Sequence, residues 1–237
     1  MKKEDLQNGI DSHGSAETEP VAGTGNSSTL KRRDFVKMAA TGALAFTVVP
    51  RHVLGGTGYV APSDKITFAY IGCGTQGLRE MLPLLATPEV QIIAVCDPNK
   101  EAIGYRDWSP NGLRGEIRNA IGKPDWMPGG ENKVPGGRDV GENVVNTYYS
   151  NKRASDNFKA CTAYEDYREL LEKEKDLDAV KIMTPDHLHG LFAIAALKRN
   201  KHVLMHKPIS NRLLEGKQVI DMANKSDRVT HLVPWDS

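Results

Sequence analysis

Short apolar runs alternate with amphipathic segments from Lys65 to the end of the chain. Runs rich in β-branched and other apolar residues predict strands at KITFAYI, VQIIAVC, FKAC, DAVKIM, KHVLM and RVTHLV. Apolar positions recur at helical spacing in LREMLPLLA, YEDYRELLEKEK, LHGLFAIAALKRN and LLEGKQVIDMAN. Strands that alternate with helices in this way predict an α/β fold, in which helices cover both faces of a doubly wound parallel sheet.

One connection is much longer than the others. About sixty residues separate Asp97 from Phe158, whereas a crossover in a parallel sheet usually needs far fewer. Its Gly- and Pro-rich part, at about residues 104–140, contains Trp108 and Trp126. We expect an ordered loop packed on the body of the domain, which either lies near a ligand cleft or is simply anchored by the tryptophans. The segment DVGENVVNTYYSNKR that follows has a helical pattern.

The first sixty residues have a different character. Residues 1–30 are polar and lack hydrophobic periodicity, which predicts disorder. The paired arginines Arg32 and Arg33 then precede an apolar run of 12 residues, Met38–Val49. This run is too short to span a bilayer but suits the apolar region of a signal peptide, and paired arginines favour the twin-arginine route. The alternative is a basic patch before a small buried helix.

We therefore expect residues 1–60 to be a polar lead and a twin-arginine signal peptide, and residues 64–237 to form the folded domain. On this interpretation the protein is exported to the periplasm or beyond, the twin-arginine machinery is a partner, and no stable membrane span exists. The formal charge of +1 gives no electrostatic reason to expect nucleic-acid binding.

The cysteines and histidines do not have the spacing of a metal site. Cys73, Cys96 and Cys161 lie far apart along the chain, which predicts small buried residues beside strands. His187 and His189 are two positions apart and so do not share a helix face. We predict no metal site.

A glycine-rich loop follows the first predicted strand. In ITFAYIGCGTQGLRE the glycines form the pattern G-x-G-x-x-G between a strand and a helix, and Asp97 ends the next strand 20 residues after Gly77. Such glycines permit a tight turn, close approach of a pyrophosphate and close helix packing, while the acidic residue accepts hydrogen bonds from ribose hydroxyls. A glycine-rich turn with an ordinary strand-end aspartate is the alternative. The predicted cofactor is NAD, with NADP less favoured, bound by Asp97 and the loop residues Gly72, Cys73, Gly74, Thr75, Gln76 and Gly77.

The segment DAVKIMTPDHLHGLFAIAALKRNKHVLMHKPIS resembles the Gfo/Idh/MocA family of nicotinamide-dependent oxidoreductases. That family typically carries D-A-V-x-I-x-T-P-N-x-x-H, followed by A-L-x-x-G-K-H-V-x-x-E-K-P. The resemblance covers about residues 64–233, but Asp186 replaces the usual asparagine and His206 the usual glutamate. The matching positions are Asp178–Met183, Thr184-Pro185, His189, Ala196-Leu197, Lys201–Val203 and Lys207-Pro208.

The resemblance implies roles for several of these residues. Lys207 is expected beside the nicotinamide, where its ammonium group would stabilise negative charge on the substrate oxygen during hydride transfer. The Lys207-Pro208 bond is often cis in the family, and Thr184, Pro185 and His206 are expected to contact the cofactor. His189 is expected near the nicotinamide as a second catalytic candidate; the alternative is a helix-start histidine that is bonded locally.

Family members carry a second α/β domain that supplies much of the substrate pocket. Because this sequence stops at HLVPWDS, we expect that this domain has been truncated away, which would leave the chain inactive alone. The resemblance implies hydride transfer at a secondary alcohol carbon of a sugar, polyol or related carbohydrate, and it leaves room for a homo-oligomer. The alternatives are an exported glycosidase that retains NAD through an oxidation and elimination cycle, and a non-catalytic nucleotide-binding module.

Overall fold

A computed structural model describes residues 60–101, 105, 112–128, 134–156 and 158–234. The predicted signal segment, apart from Val60, lies outside the described residues, and so does Trp108.

The described residues contain a six-stranded sheet in which every pair of neighbouring strands is parallel. The strand order is β3-β2-β1-β4-β5-β6, the order of a doubly wound dinucleotide-binding fold. The predicted fold class is therefore confirmed. The strands are β1 Ile66–Ile71, β2 Val90–Cys96, β3 Thr162–Tyr164, β4 Ala179–Ile182, β5 His202–His206 and β6 Thr230–Val233.

Helices pack on both faces of the sheet. One face buries Tyr70 and Ile92 beneath α1, α2 and α3, and the other buries Ile71 and Val180 beneath α4, α5 and α6. In all six helices, apolar side chains such as Leu78, which is fully buried, face these two cores. The helices are α1 Thr75–Ala86, α2 Gly112–Ile121, α3 Arg138–Lys152, α4 Tyr167–Lys173, α5 His189–Lys198 and α6 Leu213–Asn224.

The predicted position of the third strand was wrong. FKAC was expected to be a strand, but β3 begins only at Thr162. The Phe158 ring instead stacks on Tyr149, with 4.1 Å between the ring centroids. The Cys161 N–H group donates to Asn146 Oδ1 at 2.8 Å rather than to a neighbouring strand. The apolar residues of this run therefore pack against α3. The apolar pattern alone does not distinguish such packing from strand formation.

The long connection contains more regular structure than the predicted loop. Its Gly- and Pro-rich part includes α2, whose Leu113 and Ile117 are fully buried. The buried Trp126 donates from Nε1 to Asn143 Oδ1 at 2.8 Å, which ties this segment to α3. The predicted packing on the body of the domain is thus confirmed for Trp126.

The three cysteines are buried free thiols, as predicted. In the described part of the chain, no helix has both the length and the apolar character that a bilayer crossing requires.

Candidate functional site

A cleft opens at the carboxyl ends of β1 and β4, where the strand order reverses on either side of β1. Ligands bind at this position in open α/β sheets, outside the strand ends. The cavity has a volume of about 660 Å³. It brings together five of the residues predicted from the sequence to contact the cofactor, namely Gly72, Gly74, Asp97, Thr184 and Pro185.

The glycine loop packs against the start of the segment after β4. Gly72 has φ +100°, and a Cβ atom there would lie 2.6 Å from the Met183 carbonyl oxygen, so only glycine fits. A Cβ atom at Gly77 would collide with the Gly72 carbonyl oxygen, so the α1 backbone approaches the loop closely. Gly74 is the N-cap residue of α1 and lines the cleft, so this helix begins at the cleft.

Asp97 connects the end of β2 to this loop. Its side chain is buried, and its Oδ2 atom accepts a 2.9 Å hydrogen bond from the Cys73 backbone N–H group. Its Oδ1 atom accepts another from the Asn99 N–H group at 2.9 Å. Each carboxylate oxygen can accept a second hydrogen bond, so Asp97 retains capacity for a ligand hydroxyl.

Tyr105 was not identified from the sequence as a site residue. Its hydroxyl group donates to the Asp97 carboxylate, at 3.2 Å from Oδ2 and 3.4 Å from Oδ1. Its ring lies over the loop, 3.3 Å from the position of a Cβ atom on Gly74. Burial in this position raises the pKa of the Tyr105 hydroxyl, and the neighbouring Asp97 carboxylate adds to the rise. Part of the long connection therefore lies at the cleft, which is one of the two expectations for this segment, the other being a loop that the tryptophans simply anchor.

Three further charged residues of the cleft rim lie directly after β3. Glu165, Asp166 and Arg168 all line the cavity. Asp166 caps α4 by accepting from the Arg168 N–H group and also pairs with the Arg168 guanidinium at 2.7 Å. These residues escaped prediction because the third strand was placed four residues too early, which moved its carboxyl end away from them.

The opposite wall of the cleft is largely apolar. It is formed by Met183 and by Leu188, Leu191 and Phe192 at and before the start of α5. The hydroxyl oxygen of Thr184 is buried in this wall and has no hydrogen-bond partner among the described residues.

His189 lies behind this wall rather than in it. The residue is fully buried, with Nδ1 2.6 Å from the Pro208 carbonyl oxygen and Nε2 2.8 Å from the Thr184 carbonyl oxygen. Both ring nitrogens thus lie within hydrogen-bond distance of backbone carbonyl oxygens, and a neutral ring donates to one of them, which is the local bonding of the alternative interpretation. His189 joins the Thr184-Pro185 segment of the cleft to the Lys207-Pro208 segment.

Lys207 lies half-buried at the end of β5, and its bond to Pro208 is cis, as the resemblance implied. Its backbone N–H group donates to the Val233 carbonyl oxygen at 3.2 Å. The preceding residue, His206, places Nε2 3.3 Å from Glu80 Oε1. A carboxylate from α1 therefore lies beside the histidine that stands where the family usually has glutamate.

Glu80 also forms a buried ion pair. Its Oε2 atom lies 2.7 Å from Lys181 Nζ, and the Lys181 side chain is only 4% exposed. Gln76, which is predicted to contact the cofactor, donates from Nε2 to Glu80 Oε1 at 3.2 Å. This cluster couples α1 to the ends of β4 and β5.

Among the described residues, no group of three or more His, Cys, Asp and Glu side chains could hold a metal ion. The loop geometry, the helix N-terminus and the free acceptor capacity of Asp97 instead fit the pyrophosphate and ribose of a dinucleotide.

Comparison with known proteins identifies the second half of the chain. Residues 137–233 match the model of the Gfo/Idh/MocA oxidoreductase family, described as having an NAD-binding Rossmann fold. Over 71 residues the chain is 35% identical to levoglucosan dehydrogenase of Pseudarthrobacter phenanthrenivorans, a match covering 30% of this chain and 18% of that protein. Over 73 residues it is 38% identical to a dTDP-3,4-didehydro-2,6-dideoxy-alpha-D-glucose 3-reductase of Streptomyces violaceoruber, covering 31% and 21%.

A longer match at lower identity involves a glycosyl hydrolase family 109 protein of Shewanella baltica. It is 23% identical over 214 residues and covers 84% of this chain and 38% of that protein. Among solved structures, myo-inositol dehydrogenase from Lactobacillus casei has 16% identity and a TM-score of 0.47, covering 71% of this chain and 36% of that one. Residues 137–233 thus resemble the NAD-binding Rossmann domain of the Gfo/Idh/MocA oxidoreductase family, and the matches to levoglucosan dehydrogenase and to the 3-reductase span about a fifth of the length of each of those proteins.

Proposed function

We propose that the chain is the nucleotide-binding part of an NAD-dependent oxidoreductase that moves hydride to or from a secondary alcohol carbon of a sugar, polyol or related carbohydrate. The single observation that carries the proposal is the joint geometry of the glycine loop and Asp97 at the sheet switch point. Relatives whose names refer to levoglucosan, to a deoxysugar nucleotide and to myo-inositol support a substrate rich in hydroxyl groups.

The glycine loop and Asp97 would hold the two ends of the adenosine diphosphate part. The first-turn N–H groups of α1 would bind the pyrophosphate, and the remaining acceptor positions of Asp97 would bind ribose hydroxyls. Bound NAD supplies the hydride acceptor or donor at its nicotinamide ring.

Lys207 is the proposed catalytic residue. Its ammonium group would donate a hydrogen bond to the substrate oxygen and stabilise the negative charge that develops there during hydride transfer. In the oxidation direction the neutral amine form of Lys207 would take the hydroxyl proton, and in the reduction direction its ammonium form would return it. Through His189, the carbonyl of the following Pro208 is linked to Thr184 in the cleft wall, which fixes this segment relative to the cleft.

The proposal is tested in two steps. NADH binding to the purified chain is measured by fluorescence titration, and failure to bind would contradict it. In the purified protein, Lys207→Ala should then reduce turnover of a hydroxyl-rich substrate by about a hundredfold or more, while NADH affinity and thermal stability stay unchanged. Lys198→Ala, at an exposed position in the last turn of α5, is the matched control. Unchanged turnover in Lys207→Ala would refute the catalytic assignment.

A glycosidase that retains NAD is the second candidate. The match to a glycosyl hydrolase family 109 protein, which extends over 84% of this chain, favours it. Release of an aglycone from a glycoside without net NADH formation, by protein that keeps its NAD through purification, would support this candidate. Stoichiometric NADH formation from a free sugar would support the dehydrogenase instead.

We also propose that the protein is exported by the twin-arginine route. Arg32-Arg33 followed by the apolar run Met38–Val49 supports this. When residues 1–60 are fused to a reporter that is active only after export, reporter activity should be lost on changing both arginines to lysine. Reporter activity that is unchanged in this double variant would contradict the proposal.

A further inference from the structure

A buried arginine lies directly behind the rim of the cleft. Arg138, at the start of α3, donates from Nη1 to the carbonyl oxygens of Pro98 at 2.7 Å and Asp97 at 3.1 Å. From Nη2 it donates to Glu165 Oε2 at 2.9 Å. One guanidinium group thus joins the segment after β2 to the segment after β3, and both segments line the cavity.

The two partners differ greatly in exposure. The Arg138 side chain is 10% exposed, whereas that of Glu165 is 70% exposed. Glu165 lines the cavity together with Asp97, and Arg138 itself is not among the lining residues. The Glu165 carboxylate therefore covers the outward side of the guanidinium and neutralises its charge as seen from the cleft.

The charge of this part of the cleft disfavours a further anion. Asp97 contributes a carboxylate, and the Arg168 guanidinium is already paired with Asp166. Arg138 also faces Asp139, at 3.9 Å from Nε, on the edge of the guanidinium that Nε shares with Nη2, but this distance is too long for a hydrogen bond. The Nη2 atom is consequently the part of a cationic group that would become available to a ligand if the Glu165 carboxylate were removed.

We propose that Glu165 masks Arg138 and thereby acts, with Asp97, as a determinant of NAD over NADP. This inference rests on the proposed dinucleotide site. The extra phosphate of NADP is carried on the 2′ oxygen of the ribose that Asp97 is proposed to bind, and an arginine at this position accommodates such a phosphate in folds of this type. In this chain Arg138 is such an arginine, but backbone carbonyl oxygens hold its Nη1 group and the Glu165 carboxylate holds its Nη2 group.

The test compares the affinities of NADH and NADPH for the wild type and for Glu165→Gln by fluorescence titration. Unmasking the guanidinium should lower the ratio of the NADPH to the NADH dissociation constant by about tenfold or more, because charge-assisted hydrogen bonds to phosphate are strong. Glu169→Gln is the matched control: it removes one carboxylate four positions further on, where Glu169 pairs with Lys173 outside the cleft. Its ratio should equal that of the wild type.

A double variant distinguishes two causes of a gain in NADPH affinity, namely binding of the phosphate by Arg138 and the loss of repulsion from the Glu165 carboxylate. In Glu165→Gln with Arg138→Met the gain for NADPH should disappear; a gain that persists would overturn the role of Arg138. Since Glu165 is exposed, Glu165→Gln is expected to fold. If its ratio of the NADPH to the NADH dissociation constant equals that of the wild type, the masking inference is overturned. NADH binding by the same variant would still support the proposed function. Failure of the wild type to bind either nucleotide would contradict the proposed function itself.

Discussion

The Oδ2 atom of Asp97 accepts a 2.9 Å hydrogen bond from the backbone N–H group of Cys73. The carboxylate at the end of β2 thus holds the glycine loop that begins after β1. Any ligand that reaches Asp97 meets a side chain whose orientation is already determined by the loop and by the Asn99 N–H group.

Asp97→Ala should therefore weaken NADH binding through two effects. The Cys73 and Asn99 N–H groups lose their acceptor, and the proposed ribose contact is lost. We expect the dissociation constant to rise about tenfold or more, since hydrogen bonds to charged groups contribute roughly 1.5–3 kcal/mol. Asp97→Asn keeps one oxygen acceptor, so its dissociation constant for NADH should lie between those of the wild type and Asp97→Ala. The ribose assignment would be contradicted if the dissociation constants of Asp97→Ala for NADH and for NADPH both equalled those of the wild type.

Tyr105→Phe should strengthen NADH binding. The Tyr105 hydroxyl competes for the same carboxylate, and a ligand must displace it to use all the acceptor positions of Asp97. Loss of one such hydrogen bond should lower the dissociation constant by about threefold to tenfold. Tyr148→Phe, in α3 and outside the cleft, is the control. Weaker binding by Tyr105→Phe would instead indicate that the hydroxyl contacts the nucleotide.

His189→Leu should reduce stability by about 1–3 kcal/mol, because the single N–H group of a neutral imidazole donates to one of the carbonyl oxygens of Thr184 and Pro208, and that oxygen loses its partner. The exposed His187, two positions earlier, provides a matched control, and His187→Leu should change stability by less than about 0.5 kcal/mol. Urea unfolding of both variants measures the difference. Equal stabilities would show that the two carbonyl contacts contribute nothing.

The Glu80–Lys181 pair provides a test of buried charge in the scaffold. Glu80→Gln leaves the Lys181 ammonium group buried without its carboxylate and should cost about 3 kcal/mol in the free energy of unfolding. The double change Glu80→Leu with Lys181→Met removes both charges and should recover most of this loss. A double variant as unstable as the single one would show that packing, and not the uncompensated charge, causes the loss.

Alkaline pH should destabilise the domain through its buried thiols. Burial raises the pKa of Cys96 from its ordinary value of 9.0 to about 12, and burial likewise raises the pKa of Cys73 and Cys161. Below pH 9 the thiols are protonated in both states and contribute no slope. Above it the unfolded chain releases protons that the folded chain keeps, so stability falls by up to about 1.4 kcal/mol per pH unit for each thiol.

Urea unfolding between about pH 8.5 and 9.5 measures this slope, to which the buried tyrosines, whose pKa values burial also raises, add a smaller contribution. Cys96→Ala should make the slope smaller than that of the wild type, by less than one third because the tyrosines contribute to the remainder. An unchanged slope would mean that Cys96 is not protonated in the folded state over this interval.

Periodicity and local motifs predicted much of this molecule because they depend on residues close together in sequence. β1 and β2 and the helix α6 lie where their apolar patterns placed them, and the spacing of Gly72, Gly74 and Gly77 predicted the loop. The strand at Phe158 was wrong because an apolar run reports burial but not its partner, and here the partner is Tyr149 of α3.

The tertiary structure alone decided what faces the cleft. Arg138 and Glu165 are 27 positions apart, and Glu80 of α1 meets Lys181 of β4 although 101 positions separate them. His189 matches a family pattern, yet burial between two carbonyl oxygens makes it a link between backbone segments. A sequence pattern specifies which side of a strand or helix is apolar. Which polar groups meet at the rim depends on how those elements pack, and this is set by contacts between residues distant in the chain.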